Sequence, residues 1–291
     1  MDLDHERVIA VANGKGGVLK TSVAANTGAI LAQNDFRVLL IDLDPQGNLG
    51  LDLGYEDRGE GDSGQGLAQA IIFGSPLTPL KNVRPNLDVI TGGTHTSSAA
   101  GHIASQLGKV GPKAQGALRR VLEPVLPRYD FVIIDCPPGD ALLQQEALIA
   151  AKWVLFVSKS DRASLEGLGK TAALIEPILD RNPNLEILGA ILTGVGSTST
   201  SIREEALDYI RAVLGDAAPT FQGTVRHVEK AAKVTRDVGQ LAVELSKAYL
   251  TQDPEGPKTS MDGLAWDYAS IAAEFVRRFE EIEAGLQQEV K

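Results

Sequence analysis

Apolar residues fall into short unbroken runs, separated by longer stretches in which they recur with helical spacing. The runs Val8–Ala12, Val38–Ile41, Leu87–Thr91, Phe131–Ile134, Val154–Val157 and Ile187–Leu192 have strand length and, apart from Asp88 and Thr91 in the third, no polar residue. A further short strand is predicted near Thr220–Phe221. Continuous apolar runs suit strands buried on both faces. Their alternation with helical stretches, the first over about Ser22 to Gln33, predicts an α/β fold: a mostly parallel twisted sheet with helices on both faces. Residues 54–66, with five glycines and several acids, read as a surface loop. Residues 92–101, rich in Gly, Thr, Ser and Ala, read as another, and Gly194 to Ser201 is polar and small. Residues 251–263 carry two prolines and two glycines and read as a connector. After it, Trp266, Ile271, Phe275, Phe279 and Ile282 recur at mostly helical spacing. The pattern divides the chain into one α/β unit over 1–250, the connector 251–263 and a helix over 264–291, packed on the body or on a dimer partner. There are no internal repeats.

The first strand runs directly into Asn13-Gly14-Lys15-Gly16-Gly17-Val18-Leu19-Lys20-Thr21-Ser22. This is close to the phosphate-binding loop Gly-x-x-x-x-Gly-Lys-[Ser/Thr], set between a strand and a helix as its mechanism requires. A glycine-rich turn aims successive backbone N–H groups into one concavity, and the helix that follows adds its free amides. Lys20 would reach the β- and γ-phosphate oxygens, and Thr21 would place its hydroxyl on a Mg²⁺ ion bridging them. Leu19 departs from the pattern, standing where the second glycine belongs. If that position needs a positive φ, leucine costs roughly 1–3 kcal/mol there. The expectation is that nucleotide still binds, with Leu19 turned away toward the strand.

Two more strands end in carboxylates. Asp42 and Asp44 follow Val38–Ile41, and alternation puts both on one side of the extended chain until Pro45 ends it. Asp135 follows Phe131–Ile134. Ligands of open parallel sheets bind outside the carboxyl ends of the strands. A single strand-end aspartate would pass as a turn residue or helix cap; three beside a phosphate loop point to a site.

Composition narrows the choice further. At 291 residues and 43% hydrophobic, the chain can bury a large core. Its single cysteine, Cys136, excludes a disulfide framework, suits a reducing cytoplasm and reads as a packing residue or a reactive thiol. The start Met-Asp-Leu-Asp-His-Glu-Arg has no apolar segment of the secretory type, and no run has the length of a membrane span. The net charge of −10 argues against a generally basic nucleic-acid binder. Two basic clusters remain: Lys109, Lys113, Arg119 and Arg120, with no acid between them, and Arg226, Lys230, Lys233 and Arg236, spaced by three or four residues near one helix face. Each is either a solvated helix face or a local patch able to meet a phosphate backbone.

The loop Gly14-Lys15-Gly16-Gly17-Val18-Leu19-Lys20-Thr21 resembles the Lys-Gly-Gly-x-Gly-Lys-Thr loop of the ParA family of partition ATPases, in the deviant Walker A group that includes MinD. Leu40 to Asn48 matches that family's second motif almost letter for letter, and Ile133 to Pro138 resembles its Walker B segment. Ala147 to Ala151 and Ser164 to Gly167 resemble the stretches that follow. The likeness runs over about residues 7–250. It implies ATP or ADP with Mg²⁺ held by Gly14, Lys15, Gly16, Gly17, Val18, Leu19, Lys20, Thr21 and Ser22. It implies Lys15 as the signature lysine reaching across a homodimer to the partner's phosphates, and Lys20 binding phosphate in its own subunit. It implies Asp44 positioning the attacking water, Thr21 ligating Mg²⁺, Asp135 holding it through water, and Asp42 supporting the metal and the switch. Pro137, Pro138 and Gly139 would sense the γ-phosphate.

The implied function is DNA segregation. ATP drives dimerisation, the dimer binds DNA nonspecifically, with Arg226, Lys230, Lys233 and Arg236 favoured for that contact, and a ParB-type centromere-binding partner stimulates slow hydrolysis. A lysine supplied in trans would act like an arginine finger, which in other phosphoryl-transfer systems is worth roughly 10³–10⁵ in rate. The expected location is cytoplasmic, on the nucleoid. The loop begins at residue 14, so the chain resembles the short form without an N-terminal helix-turn-helix domain. A MinD-like membrane-associated regulator is the alternative, though its targeting helix wants a basic polar face and Glu274, Glu280, Glu281, Glu283 and Glu289 outnumber the cations here. An iron–sulfur electron donor of the nitrogenase-reductase type needs two cysteines. A non-hydrolysing scaffold is opposed by Asp44 and Asp135.

Overall fold

The computed structural model describes residues 7–195, 200–215, 218–251 and 257–289. Its strands are β1 (Val8–Ala12), β2 (Val38–Asp42), β3 (Leu80–Arg84), β4 (Leu87–Ile90), β5 (Phe131–Asp135), β6 (Trp153–Lys159), β7 (Glu186–Thr193) and β8 (Thr220–Val225). The helices of the first half are α1 (Lys20–Gln33), α2 (Asn48–Leu53), α3 (Gln65–Phe73), α4 (Thr96–Val110), α5 (Ala117–Leu122) and α6 (Ala141–Ala150). Those of the second half are α7 (Arg162–Ala172), α8 (Thr200–Leu214), α9 (Glu229–Val238), α10 (Ala242–Leu245), α11 (Ala248–Thr251) and α12 (Ser260–Glu289).

The strands form one sheet in the order β3-β4-β2-β5-β1-β6-β7-β8. All pairings are parallel except β3 with β4. The chain fills one side of β1 first and then the other, so β1 and its loop sit at the centre of the carboxyl edge. Register brings the strand ends level: Val11 pairs with Asp135, and Asp42 with Asp135. Every residue of β1, β2 and β5 is buried, as unbroken apolar runs require.

Alternation along the strands feeds two apolar layers. Ile9, Val11, Leu40, Phe131 and Ile133 face α1 and α12. Val8, Ala10, Leu39, Ile41 and Ile134 face the layer of α3 to α8, with Leu143 and Leu168. The first layer closes on an aromatic cluster in which the Phe279 ring meets Phe131 at 5.3 Å and Trp153 at 5.9 Å, edge to face. Helix α1 approaches β2 so closely that a Cβ on Gly28 would lie 2.8 Å from the Leu40 side chain.

Several boundaries differ from the sequence expectation. The short strand near Thr220–Phe221 runs on to Val225. Strand β3 was not anticipated: it lies at the sheet edge with Lys81 and Asn82 exposed, and Asn82 has φ 53°. Helix α3 starts inside the glycine-rich stretch 54–66, and α4 starts inside the stretch 92–101, which is therefore only partly a loop. Of the polar stretch from Gly194, residues 196–199 lie outside the described residues, and α8 begins at Thr200. Residues 252–256 of the connector also lie outside them, and α12 already begins at Ser260.

Candidate nucleotide-binding site

Backbone geometry builds the phosphate loop. Gly17 has φ +76° in open space, a turn position that suits glycine. Leu19 has φ 71° and ψ 24°, the left-handed conformation, and begins α1 without a side-chain cap. The position therefore does impose the conformation that penalises leucine. The isobutyl group is partly buried, packs against the α1/α12 layer and lines a cavity with Ser22 and Tyr268. Neighbouring strands fix the loop from outside. Asn13, fully buried, donates from Nδ2 to the carbonyls of Val157 (2.8 Å) and Ser164 (3.2 Å) and accepts from the Lys15 amide (2.8 Å). The Thr193 hydroxyl donates to the Val18 carbonyl at 2.9 Å.

Lys15 is exposed. Lys20 is buried, and its Nζ donates to the Lys15 carbonyl at 3.2 Å. Burial lowers its pKa, opposed by the charge of Asp135. The Thr21 hydroxyl donates to Asp135 Oδ2 at 2.6 Å. Asp135 Oδ1 is buried with no partner. Burial pushes the Asp135 carboxyl up to about 7, against the pull of the Thr21 hydroxyl and Lys20. An orphaned buried carboxylate oxygen beside a threonine hydroxyl is a donor set that fits a hard cation such as Mg²⁺. Asp42 differs: its oxygens accept from the backbone amides of Asp44 (2.9 Å) and Leu49 (3.2 Å), so it braces the turn that carries Asp44. Burial, reinforced by Asp135 beside it, holds the Asp42 carboxyl well above the usual carboxylate range.

Asp44 lines a shallow cleft of about 590 Å³ with Pro45, Gln46, Pro137, Pro138, Gly139 and Asp140. A Cβ on Gly16 would lie 3.7 Å from Pro138. Gly14 to Ser22, Asp42, Asp44, Asp135 and the Pro137–Gly139 segment thus converge on one edge. Cys136 is buried, and burial raises its thiol pKa, which makes it a packing residue and not a reactive thiol.

The C-terminal cations sit differently from the sequence expectation. Arg226 precedes α9 and pairs with Asp267 at 2.7 Å. Lys233 pairs with Asp237 at 2.5 Å, and Arg236 with the buried Asp52 at 3.1 Å. Lys230 is exposed. Arg226, Lys233 and Arg236 rim a cavity of about 430 Å³ beside Leu19, Ser22 and Tyr268. Sequence reasoning missed this cavity and its Ser22–Asp52 hydrogen bond of 3.0 Å, because its walls come from α1, α9 and α12. Asn13 was also missed; an amide side chain ending a wholly apolar strand was its one signal.

A family model described as an AAA domain matches residues 6–187. The chromosome partitioning protein ParA of Caulobacter vibrioides is 36% identical over 221 residues, covering 74% of this chain and 79% of that protein. The sporulation initiation inhibitor protein Soj of Bacillus subtilis is 33% identical over 213 residues, covering 70% of this chain and 80% of its own. The septum site-determining protein MinD of Pyrococcus horikoshii, complexed with Mg-ADP, shares the fold with TM-score 0.67 at 22% identity, over 92% of this chain and 95% of that one. By its sequence, its sheet order and its loop, the chain belongs to the AAA-domain family and is a ParA/MinD-type P-loop ATPase.

Proposed function

We propose that this ATPase is a DNA-partition switch. Mg²⁺-ATP occupies the loop from Gly14 to Ser22, two subunits close around it through Lys15, and the closed dimer binds DNA nonspecifically until a ParB-type partner stimulates hydrolysis. The observation that carries the reading is Asp135, with one oxygen held by Thr21 and the other buried without a partner, beside Lys20. Mg²⁺ there would neutralise charge building on the phosphates. Thr21 and Asp135 would hold it, with Asp42 bracing the turn. Lys20 would bind phosphate, and Asp44 would orient the attacking water. Lys15, free at the surface, would bring the second subunit's charge. The cavity beside Leu19 has room for a nucleoside next to the phosphate loop.

The test is light scattering with ATP or ADP. The expected result is a dimer with Mg²⁺-ATP alone, lost in Lys15→Gln while nucleotide binding persists. A Lys15→Gln chain that dimerises normally would remove the trans lysine from the account. Sedimentation of the same samples with lipid vesicles or with DNA separates the MinD-like alternative from the partition reading. No helix among the described residues is long and apolar enough to cross a membrane.

A further inference from the structure

A buried polar path joins the phosphate loop to the switch through residues that lie in neither motif. The Gly14 amide donates to the Gly167 carbonyl on α7 at 3.2 Å. A Cβ on Gly167 would lie 2.8 Å from the Lys15 nitrogen, so this contact requires glycine. One turn along α7, the Thr171 hydroxyl donates to Gln144 Oε1 on α6 at 2.9 Å. Gln144 Nε2 in turn donates to the Pro137 carbonyl at 2.9 Å. Thr171 and Gln144 are 1% and 2% exposed. The path closes on itself where Pro138 approaches Gly16.

Packing alone does not call for these groups. Around Gln144, Leu143, Ala147 and Leu148 fill the layer with apolar side chains, and a buried amide stabilises only when both its ends are bonded. Pro137 and Pro138 have no amide hydrogen, so the first turn of the switch cannot anchor itself with its own donors. Its Pro137 carbonyl is held by Gln144. Asp140 then caps α6 by accepting from Leu142 and Leu143 at 3.1 Å, which fixes the far end of the segment.

We propose that Gln144, backed by Thr171, is a positioning residue that couples the switch at Pro137 to the Lys15 loop through α7. Displacement at one end shifts the other. The purpose of the coupling, reporting the γ-phosphate to the trans lysine, rests on the nucleotide reading above; the connection itself does not.

Hydrogen exchange of the full chain without nucleotide tests the connection. Thr171→Val keeps the shape and removes the hydroxyl; Thr171→Ser keeps the hydroxyl. Thr171→Val and Gln144→Leu should speed exchange about ten-fold at the amides of Lys15 to Gly17 and of Gly139 to Leu142, with Thr171→Ser near wild type. ATP and ADP affinities are measured beside it, and Thr171→Val should cut the ATP-over-ADP preference by about five-fold or more, the scale of site-to-site coupling. Faster exchange confined to α7, or Thr171→Ser behaving like Thr171→Val, would overturn the proposal. Wild type failing to bind either nucleotide would overturn the nucleotide reading, and the exchange data would still decide the connection.

Discussion

Leu19 sits where φ is positive, and that location separates two kinds of cost. The loop adopts this conformation as part of the fold, so the strain is charged to folding, not to nucleotide binding. Leu19→Ala keeps the strained angle and loses the packing; Leu19→Gly loses both. The glycine variant should therefore be the more stable by about 1 kcal/mol, melting roughly 2–4 °C above the alanine variant. Its affinity for ATP should stay within about three-fold of wild type, under 1 kcal/mol. An alanine variant as stable as the glycine one would mean that the angle is not enforced. Much tighter ATP binding by Leu19→Gly would mean that the loop relaxes when empty. From the sequence, the missing glycine was legible but not the sign of φ, which the turn between β1 and α1 sets.

Asp135 gives a second prediction at this scale. Burial lifts its folded pKa to about 7, above the about 3.9 of an unfolded aspartate. Its contribution to stability is therefore fully present below about pH 4 and is lost as pH rises through about 7. A cation on its free oxygen offsets that loss. Mg²⁺ should raise the melting temperature more at about pH 8 than at about pH 6, and Asp135→Asn should abolish the difference. An equal Mg²⁺ effect at both pH values in the wild type would contradict the site.

At the scale of elements, the sequence disclosed what the sheet's period controls and missed what depends on edges. Strands β1, β2 and β5 are buried on both faces, so their apolar runs announced them and placed Asp42 and Asp135 at their ends. Strand β3 has an exposed middle, and its Arg84 is held by Glu244 on α10, a pairing no local pattern encodes. The small residues at the start of α4 hid a helix whose buried face is only Thr96, Ala99 and Ile103. The cations of α9 and of Arg226 just before it are legible in the sequence, but the partners of Arg226 and Arg236, Asp267 and Asp52, lie far along the chain. Arg226 and Arg236 are held by Asp267 and the buried Asp52, whereas Lys233 meets only the exposed Asp237 and Lys230 is exposed, so on the partition reading Lys230 and Lys233 are the α9 cations to test against DNA. Lys230→Ala with Lys233→Ala should weaken ATP-dependent DNA binding and lower the salt slope by about 2. An unchanged slope would move the contact elsewhere, with the cluster Lys109, Lys113, Arg119 and Arg120 the next to test.

For the whole molecule, the order β3-β4-β2-β5-β1-β6-β7-β8 makes one edge carry both the phosphate loop and the strand-end carboxylates. Helix α12 covers the other end of the layer through Phe275 and Phe279, and its Tyr268 reaches the cavity beside Ser22. The motif half of this arrangement was readable because its residues are consecutive. The cavity wall, the Arg236–Asp52 pair and the Thr171–Gln144–Pro137 path were not, since each joins segments that only the folded sheet brings together. The central claim is that this loop binds nucleotide with leucine at position 19. Titrating the purified chain with a fluorescent ATP analogue in Mg²⁺, with Lys20→Ala as control, tests it directly. Saturable binding that Lys20→Ala abolishes is the expected result. No binding at about millimolar nucleotide, a free energy near −4.1 kcal/mol, would contradict the account, and the partition mechanism would fall with it.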